Sequence, residues 1–198
     1  MRFGKSVVVG GVVLLALSVT ACAGPNSPAA PGASATHSTG FAPAPSASLT
    51  AVPATVIGPK GVGALVVGMS KQQARETGQA AGITGDSGTC GGADDGRLLG
   101  AQPAAPDDLD GKLFFSRSTG RLVIIAATAE VSTPQGIHIG SPYKDVKKAY
   151  PSWRGRNGKS GSGLVTVPGD PKLRYRIYVD AGQVMELTVQ TADQDCGG

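Results

Sequence analysis

From Leu173 to Asp180 the chain alternates strictly. Leu173, Tyr175, Ile177 and Val179 take one side of an extended strand, and Arg174, Arg176, Tyr178 and Asp180 take the other. Strand side chains point to opposite faces with a period of two, so this segment demands a sheet with one buried and one wet face, the signature of antiparallel pairing. Met185, Leu187 and Val189 extend the apolar set beyond a turn containing Gly182. Residues 172–179 and 183–191 therefore predict a hairpin.

The same punctuation occurs earlier. Leu65-Val66-Val67-Gly68-Met69-Ser70 lies 72 residues before Ile137-His138-Ile139-Gly140-Ser141-Pro142, and that offset carries Ala74 onto Val146. Asp110-Gly111-Lys112-Leu113-Phe114-Phe115 lies 60 residues before Asp170-Pro171-Lys172-Leu173-Arg174-Tyr175, and Gly120-Arg121-Leu122-Val123 lies 62 before Gly182-Gln183-Val184-Met185. Three blocks in one order predict two copies of a unit, with an insertion in the first. Each copy reads as a strand (64–67 or 136–139) ending at a glycine turn, then a helix, then a hairpin (112–117 with 120–128 in the first copy). Ser70 with Gln73 forms a capping box; Ser141 reads as the second cap, with Pro142 opening its helix and Pro151 stopping it. The expected fold class is α+β, short helices packed on antiparallel sheet, with repeats at 60–131 and 132–198 forming one domain.

Ahead of the domain the chain has a different character. Residues 1–21 read as an export signal: Arg2 and Lys5 give the basic start, residues 7–17 the apolar stretch, which is too short to span a bilayer. Val19-Thr20-Ala21-Cys22 resembles a bacterial lipobox, which implies diacylglycerol on the Cys22 thiol and anchoring at the outer face of the cell membrane. Two or three acyl chains hold stably where one holds only marginally. The stretch 22–59 holds no charged residue and six prolines before Val56 among Ala, Ser, Gly and Thr. It reads as a disordered linker with a reach of roughly 30 Å as a coil.

Removal of Arg2 and Lys5 leaves 16 basic and 14 acidic residues, a net charge of +2 that gives nucleic acid no reason to bind. With Cys22 acylated, Cys90 and Cys196 remain, an even number in an oxidising compartment, and a disulfide is expected. The domain has one histidine and no C-x-x-C, so neither metal nor cofactor is expected.

Catalytic patterns do not assemble. Ser141-x-x-Lys144 and Lys159-Ser160-Gly161 match two motifs of penicillin-interacting enzymes, but about 15 residues between them leave no room for the intervening helical subdomain. Asp107-Asp108-Leu109-Asp110 misses the glutamate that calcium loops place at position twelve and reads as a solvated acidic turn, as does Asp94-Asp95. His138 reads as a structural histidine in an apolar strand. The suggestive feature is a basic-aromatic cluster: Lys144, Lys147, Lys148, Arg154, Arg156 and Lys159 with Tyr150 and Trp153 among them. Such a patch suits an anionic polymer, a headgroup or an acidic protein surface, or is simply a solubilising face.

The succession G-x-L-x-x-G-M-S, helix, hairpin, then G-I-x-I-G-S, helix, hairpin resembles an uncharacterised type of actinobacterial cell-envelope lipoprotein. In repeat plan it is similar to β-lactamase-inhibitory proteins and to small lipoproteins of outer-membrane barrel assembly. The resemblance covers residues 61–196 and rests on turn and cap residues; it implies a fold and, by analogy, surface binding. The expectation is a non-enzymatic, lipid-anchored binding module of the envelope, whose partner is an envelope protein or an anionic polymer. The alternative is a hydrolase or transferase acting on wall polymers. Exchanging Cys22 for Ala is expected to move the protein from the membrane to the soluble fraction on cell fractionation; unchanged membrane retention would refute the lipid anchor.

Overall fold

The computed structural model describes residues 55–197; Cys22, the expected signal and most of the expected linker lie outside them. In chain order the elements are β1 (Gly61–Val62), β2 (Leu65–Val66), α1 (Lys71–Glu76), β3 (Ala80–Ile83), β4 (Asp95–Leu98), β5 (Leu113–Phe115), β6 (Leu122–Ala126), α2 (Tyr143–Ala149), β7 (Gly161–Val167), β8 (Asp170–Asp180) and β9 (Gln183–Thr191). Three antiparallel sheets result: β1-β2, β3-β4 and a five-stranded sheet in the order β5-β6-β9-β8-β7. The architecture is antiparallel sheet carrying few, short helices. No helix of the described residues is long and apolar enough to cross a membrane.

Both expected hairpins form, β5 with β6 and β8 with β9, and they meet at β6 and β9 in the middle of the sheet. Leu173, Tyr175, Ile177 and Val179 are buried on the core face as their alternation requires. Ala74 of α1 and Val146 of α2 join them in one apolar cluster, so the helices cover this face. The partner strand departs from simple alternation. Val179 faces Val184 while Tyr178 faces Glu186, so a bulge inserts Met185 as an extra residue. Val184, not Met185, continues the buried set, and Met185 is thrown outward to 51% exposure. β7 and the β3-β4 hairpin were not foreseen. β7 alternates less visibly because its inward Gly163 lies where a Cβ would come within 2.7 Å of Trp153 Nε1.

The lead-in to each helix is stitched to the sheet alike. Gly68 donates to the carbonyl of Leu122 at 2.7 Å and Leu122 donates to Met69 at 2.8 Å; Gly140 donates to Val184 at 2.7 Å and Val184 donates to Ser141 at 2.9 Å. Single bridges then join Ser70 to Arg121 and Pro142 to Gln183. Gly68 and Gly140 hold φ of 97° and 93°, a turn that side-chain-bearing residues resist.

The two helices start differently. Ser70 caps α1 in a full capping box: its hydroxyl accepts from the Gln73 N–H while the Gln73 side chain accepts from the Ser70 N–H. Ser141 does not cap α2, whose N-cap is Pro142 with no side-chain bond. Its hydroxyl accepts from the His138 N–H at 3.0 Å instead. That bond belongs to a tight turn which replaces the strand expected at 136–139: Ile137 donates to Thr133 Oγ1, and Ser141 donates back to the His138 carbonyl. The apolar alternation there seats only Ile137 in the core. The folded region also starts before residue 60, since Ile57 is wholly buried and bonded to Ser132.

The least expected feature is charge in the core. Lys71 and Asp95 are 1% and 0% exposed and their charged atoms lie 3.0 Å apart. The ammonium also donates to the carbonyls of Thr84 and Asp94, so its three protons are all used. The carboxylate accepts from the N–H groups of Thr89, Gly91 and Phe115. Burial pushes the Asp95 pKa up, but these backbone donors and Lys71 outweigh it and hold the group below its ordinary value. Lys71→Met, which strands a buried carboxylate, is expected to cost about 3–5 kcal/mol in denaturant unfolding. Arg75→Met, which removes an exposed pair with Asp86, is expected to cost at most about 1 kcal/mol. Because the folded pKa of Asp95 is depressed, its contribution is present above the unfolded value near 3.8 and is lost as pH falls through the folded value. Acid unfolding should therefore lose part of its pH dependence in Asp95→Asn.

Candidate functional site

The basic-aromatic cluster does not assemble as one surface. Trp153 is 0% exposed and Tyr150 5%. The Trp153 indole N–H donates to the Ile177 carbonyl at 3.3 Å and the ring meets Tyr143 edge-on at 6.0 Å. The Tyr150 hydroxyl donates to Gln135, its ring lies 5.8 Å from that of Tyr175, and burial raises its pKa. These aromatics are core, and their expected role in ligand binding is corrected accordingly: at helical spacing beside a proline stop, an aromatic serves packing as readily as recognition.

The cations divide. Lys147 and Arg154 converge on the same two backbone oxygens, those of Pro151 and Trp153, and so clasp the loop that ends α2. Partial burial and then the neighbouring Arg154 lower the pKa of Lys147. Lys144, Lys148, Arg156 and Lys159 remain exposed. Of these, Arg156 alone lines a recess described below.

Cys90 and Cys196 form a disulfide across 106 residues. Beside it Asp195 accepts from the Ser116 hydroxyl and from the N–H and hydroxyl of Ser118, bonds that lower its pKa and fix the tail on the β5-β6 turn. The Asp195 carboxylate and the two sulfurs lie within 4.8 Å of one another, but the sulfurs are spent on each other. His138 is exposed, its Nδ1 3.1 Å from the Ser141 hydroxyl and 3.2 Å from the Gly136 carbonyl. Ser141 itself is 3% exposed, which keeps that hydroxyl inside its turn. Asp108 and Asp110 accept from backbone N–H groups of Ala104 and Gln102, the acidic turn expected of this run.

What converges instead is the sheet face opposite the helices. Its floor is β9 and β6, where Thr188, Gln190, Ile124 and Ala126 are shielded by taller neighbours. Arg174, Arg176 and Tyr178 stand on β8, Leu164 on β7, and Met185 on the bulge. Leu164 and Met185 are 54% and 51% exposed, two of four such large apolar side chains among the described residues. Arg176 pairs with Glu186 at 3.2 Å across the face. Two loops frame this surface. Loop 102–110 overhangs a recess of about 600 Å³ floored by Ala126, Ala127 and Leu187 and rimmed by Asp107, Asp108 and Asp110. Loop 156–160 walls a second recess of about 410 Å³. Tyr178 and Asp180 line both, so the two recesses adjoin at these side chains. The alternation in β8 marked its outer residues as wet, but nothing in the sequence marked the loops that fold over them.

Comparison with protein-family models, with curated proteins and with solved structures returns no match for this chain. The geometry alone speaks for function. Truncating Trp153 to Ala is expected to cost about 3–5 kcal/mol in denaturant unfolding, as for a core aromatic. Lys144→Gln and Lys148→Gln are expected to stay within about 0.5 kcal/mol of the parent.

Proposed function

We propose that this chain is a non-enzymatic binding module, tethered by lipid on Cys22 at the outer face of a cell membrane, that engages an envelope component through the outer face of its five-stranded sheet. The observation that carries this reading is the two-loop frame around Tyr178: two adjoining recesses, Met185 lining the larger, Leu164 exposed on the same sheet face, and the Arg176–Glu186 pair. Concave surfaces with an apolar body and a few convergent polar groups are where ligands bind. Exposed large apolar side chains close together mark contact surfaces on soluble domains. The buried charge of Lys71, by contrast, is consumed by Asp95, and the exposed Asp195 is engaged by the Ser116-Ser118 turn.

The doubled plan belongs to the same reading. Gly68, Met69 and Ser70 bond to Leu122 and Arg121, as Gly140, Ser141 and Pro142 bond to Val184 and Gln183. These partners are the residues paired by the sequence offsets of 72 and 62. The two hairpins meet through β6 and β9, their second strands, as copies related by a two-fold axis would. This supports two copies of one helix-hairpin unit, with β3, β4 and loop 102–110 between helix and hairpin in the first and a shorter segment containing β7 in the second. A doubled plan of this kind resembles the one expected from the sequence for envelope lipoproteins and inhibitory proteins, and by that analogy alone it favours a binding role.

The test uses the full-length protein in detergent as bait for envelope extracts. Leu164→Asp and Met185→Asp alter exposed side chains and leave the core intact, so each is expected to abolish capture, while Lys144→Gln with Lys148→Gln retains it. Capture that survives both open-face changes would refute this assignment of the surface.

A further inference from the structure

Buried polar groups find partners within a protein, whereas exposed and half-buried ones stay free for water or a ligand. Around the recess of about 410 Å³ a whole set of the second kind is gathered. Arg156, Asn157, Ser162, Tyr178 and Asp180 line it, and among the described residues none makes a side-chain hydrogen bond. Arg176 completes the wall, its guanidinium held on one side by Glu186 at 3.2 Å. The geometry is fixed by rigid parts. Ser162, Arg176 and Tyr178 stand on paired strands, and Arg156 is held by its N–H donating to the Ser162 carbonyl at 3.0 Å.

The chemistry of this set is specific. It offers donors from two guanidiniums and an amide, acceptors from a carboxylate and an amide oxygen, and hydroxyls that serve as both. Its lining sets Arg156 and Arg176 beside Asp180, and Glu186 of the adjoining recess offsets Arg176 from 3.2 Å. A phosphate or carboxylate ligand carries only acceptors and would face the Asp180 carboxylate with no donor to give it. A chain of hydroxyls, each needing a donor and an acceptor, matches both halves of the set. Planar guanidinium, amide and carboxylate groups can each span two neighbouring hydroxyls in the paired geometry that a single-point ammonium cannot. Tyr178 adds an apolar ring face at the junction with the larger recess, whose floor of Ala126, Ala127 and Leu187 is also apolar. One sugar ring presents that combination, a C–H face and a rim of hydroxyls. The volume of about 410 Å³ lies within the ~300–1,000 Å³ of small-molecule sites, and the larger recess adjoins it at Tyr178 and Asp180.

We propose that the recess formed by Arg156, Asn157, Ser162, Arg176, Tyr178 and Asp180 is a saccharide subsite that takes an uncharged hexose or N-acetylhexosamine unit of an envelope glycan. This rests on the binding-module reading and names its ligand class. The probe is a tetramer of N-acetylglucosamine, titrated into the full-length protein in detergent and followed by amide NMR shifts and calorimetry. Saturable shifts confined to residues 156–162 and 176–186, weakened at least tenfold by Asp180→Asn and by Arg156→Gln, are expected. Arg156 is exposed on its loop, so its variant keeps the test valid should the β8 variant fold poorly. Binding should change little between low and high salt, because the site is charge-balanced.

Two results would overturn the proposal. One is absence of saturable shifts with the tetramer and with a matching glucose oligosaccharide at millimolar concentration. The other is binding of a glycerol-phosphate polymer in their place, with affinity falling steeply as salt rises, which would make the recess an anion site. If the tetramer fails while envelope capture still depends on Leu164 and Met185, the saccharide assignment falls and the binding module stands. If both fail, the open face is not the functional surface.

Discussion

The ion pair of Lys71 with Asp95 is the contact on which the first half of the domain depends. Taking both charges out of water is costly, and the attraction between them repays that cost only when every remaining proton and lone pair is also satisfied. Here they are, and the groups that satisfy them come from four separate places: α1, the turn after β3, loop 89–94 and β5. The loop between β3 and β4 is built of Gly, Ser, Thr and Asp with almost nothing apolar to seat it. A buried carboxylate that accepts from Thr89, Gly91 and Phe115 gives it one position instead of many. It also brings Cys90, between two of those donors, to the place where Cys196 arrives. The pair is better understood as specifying this arrangement than as adding net stability over an apolar substitute.

What could be read in advance follows the range of the interaction responsible. Ser70 with Gln73, the glycine turns at Gly68 and Gly140, and the β8-β9 hairpin depend on neighbours within a few residues, and they were legible. Ser141 had the same local credentials as Ser70 but found a nearer donor in its own turn, so the cap went unmade. Met185 sat in phase with Leu187 and Val189, yet a bulge moved the inward position to Val184, and a bulge is chosen by the whole sheet. Asp95 looked like a solvated turn because its partner lies on α1, twenty-four positions away. Lys71 carried one faint sign, a place on the same helix face as the buried Ala74.

The site divides by the same logic. The outer residues of β8 were marked by alternation, since a strand's period is a property of the segment itself. Loops 102–110 and 156–160, which turn a flat face into a groove, have no period and take their places only from the fold. The basic-aromatic cluster misled because proximity in sequence was taken for proximity in space. Tyr150 and Trp153 fell inward to meet Tyr175 and Ile177, and Lys147 with Arg154 turned back on the carbonyls around them.

The order of strands in the large sheet bears on how the molecule comes into being. β9, close to the carboxyl end of the described chain, lies at the centre, between β6 and β8. Until it arrives, the β5-β6 hairpin has an unsatisfied ladder along its inner side. Contacts so distant along the chain form slowly, because much loop entropy is surrendered before they return anything. The large sheet is therefore whole only once β9 has joined it, and a truncation that removes β9 takes out the keystone rather than a tail.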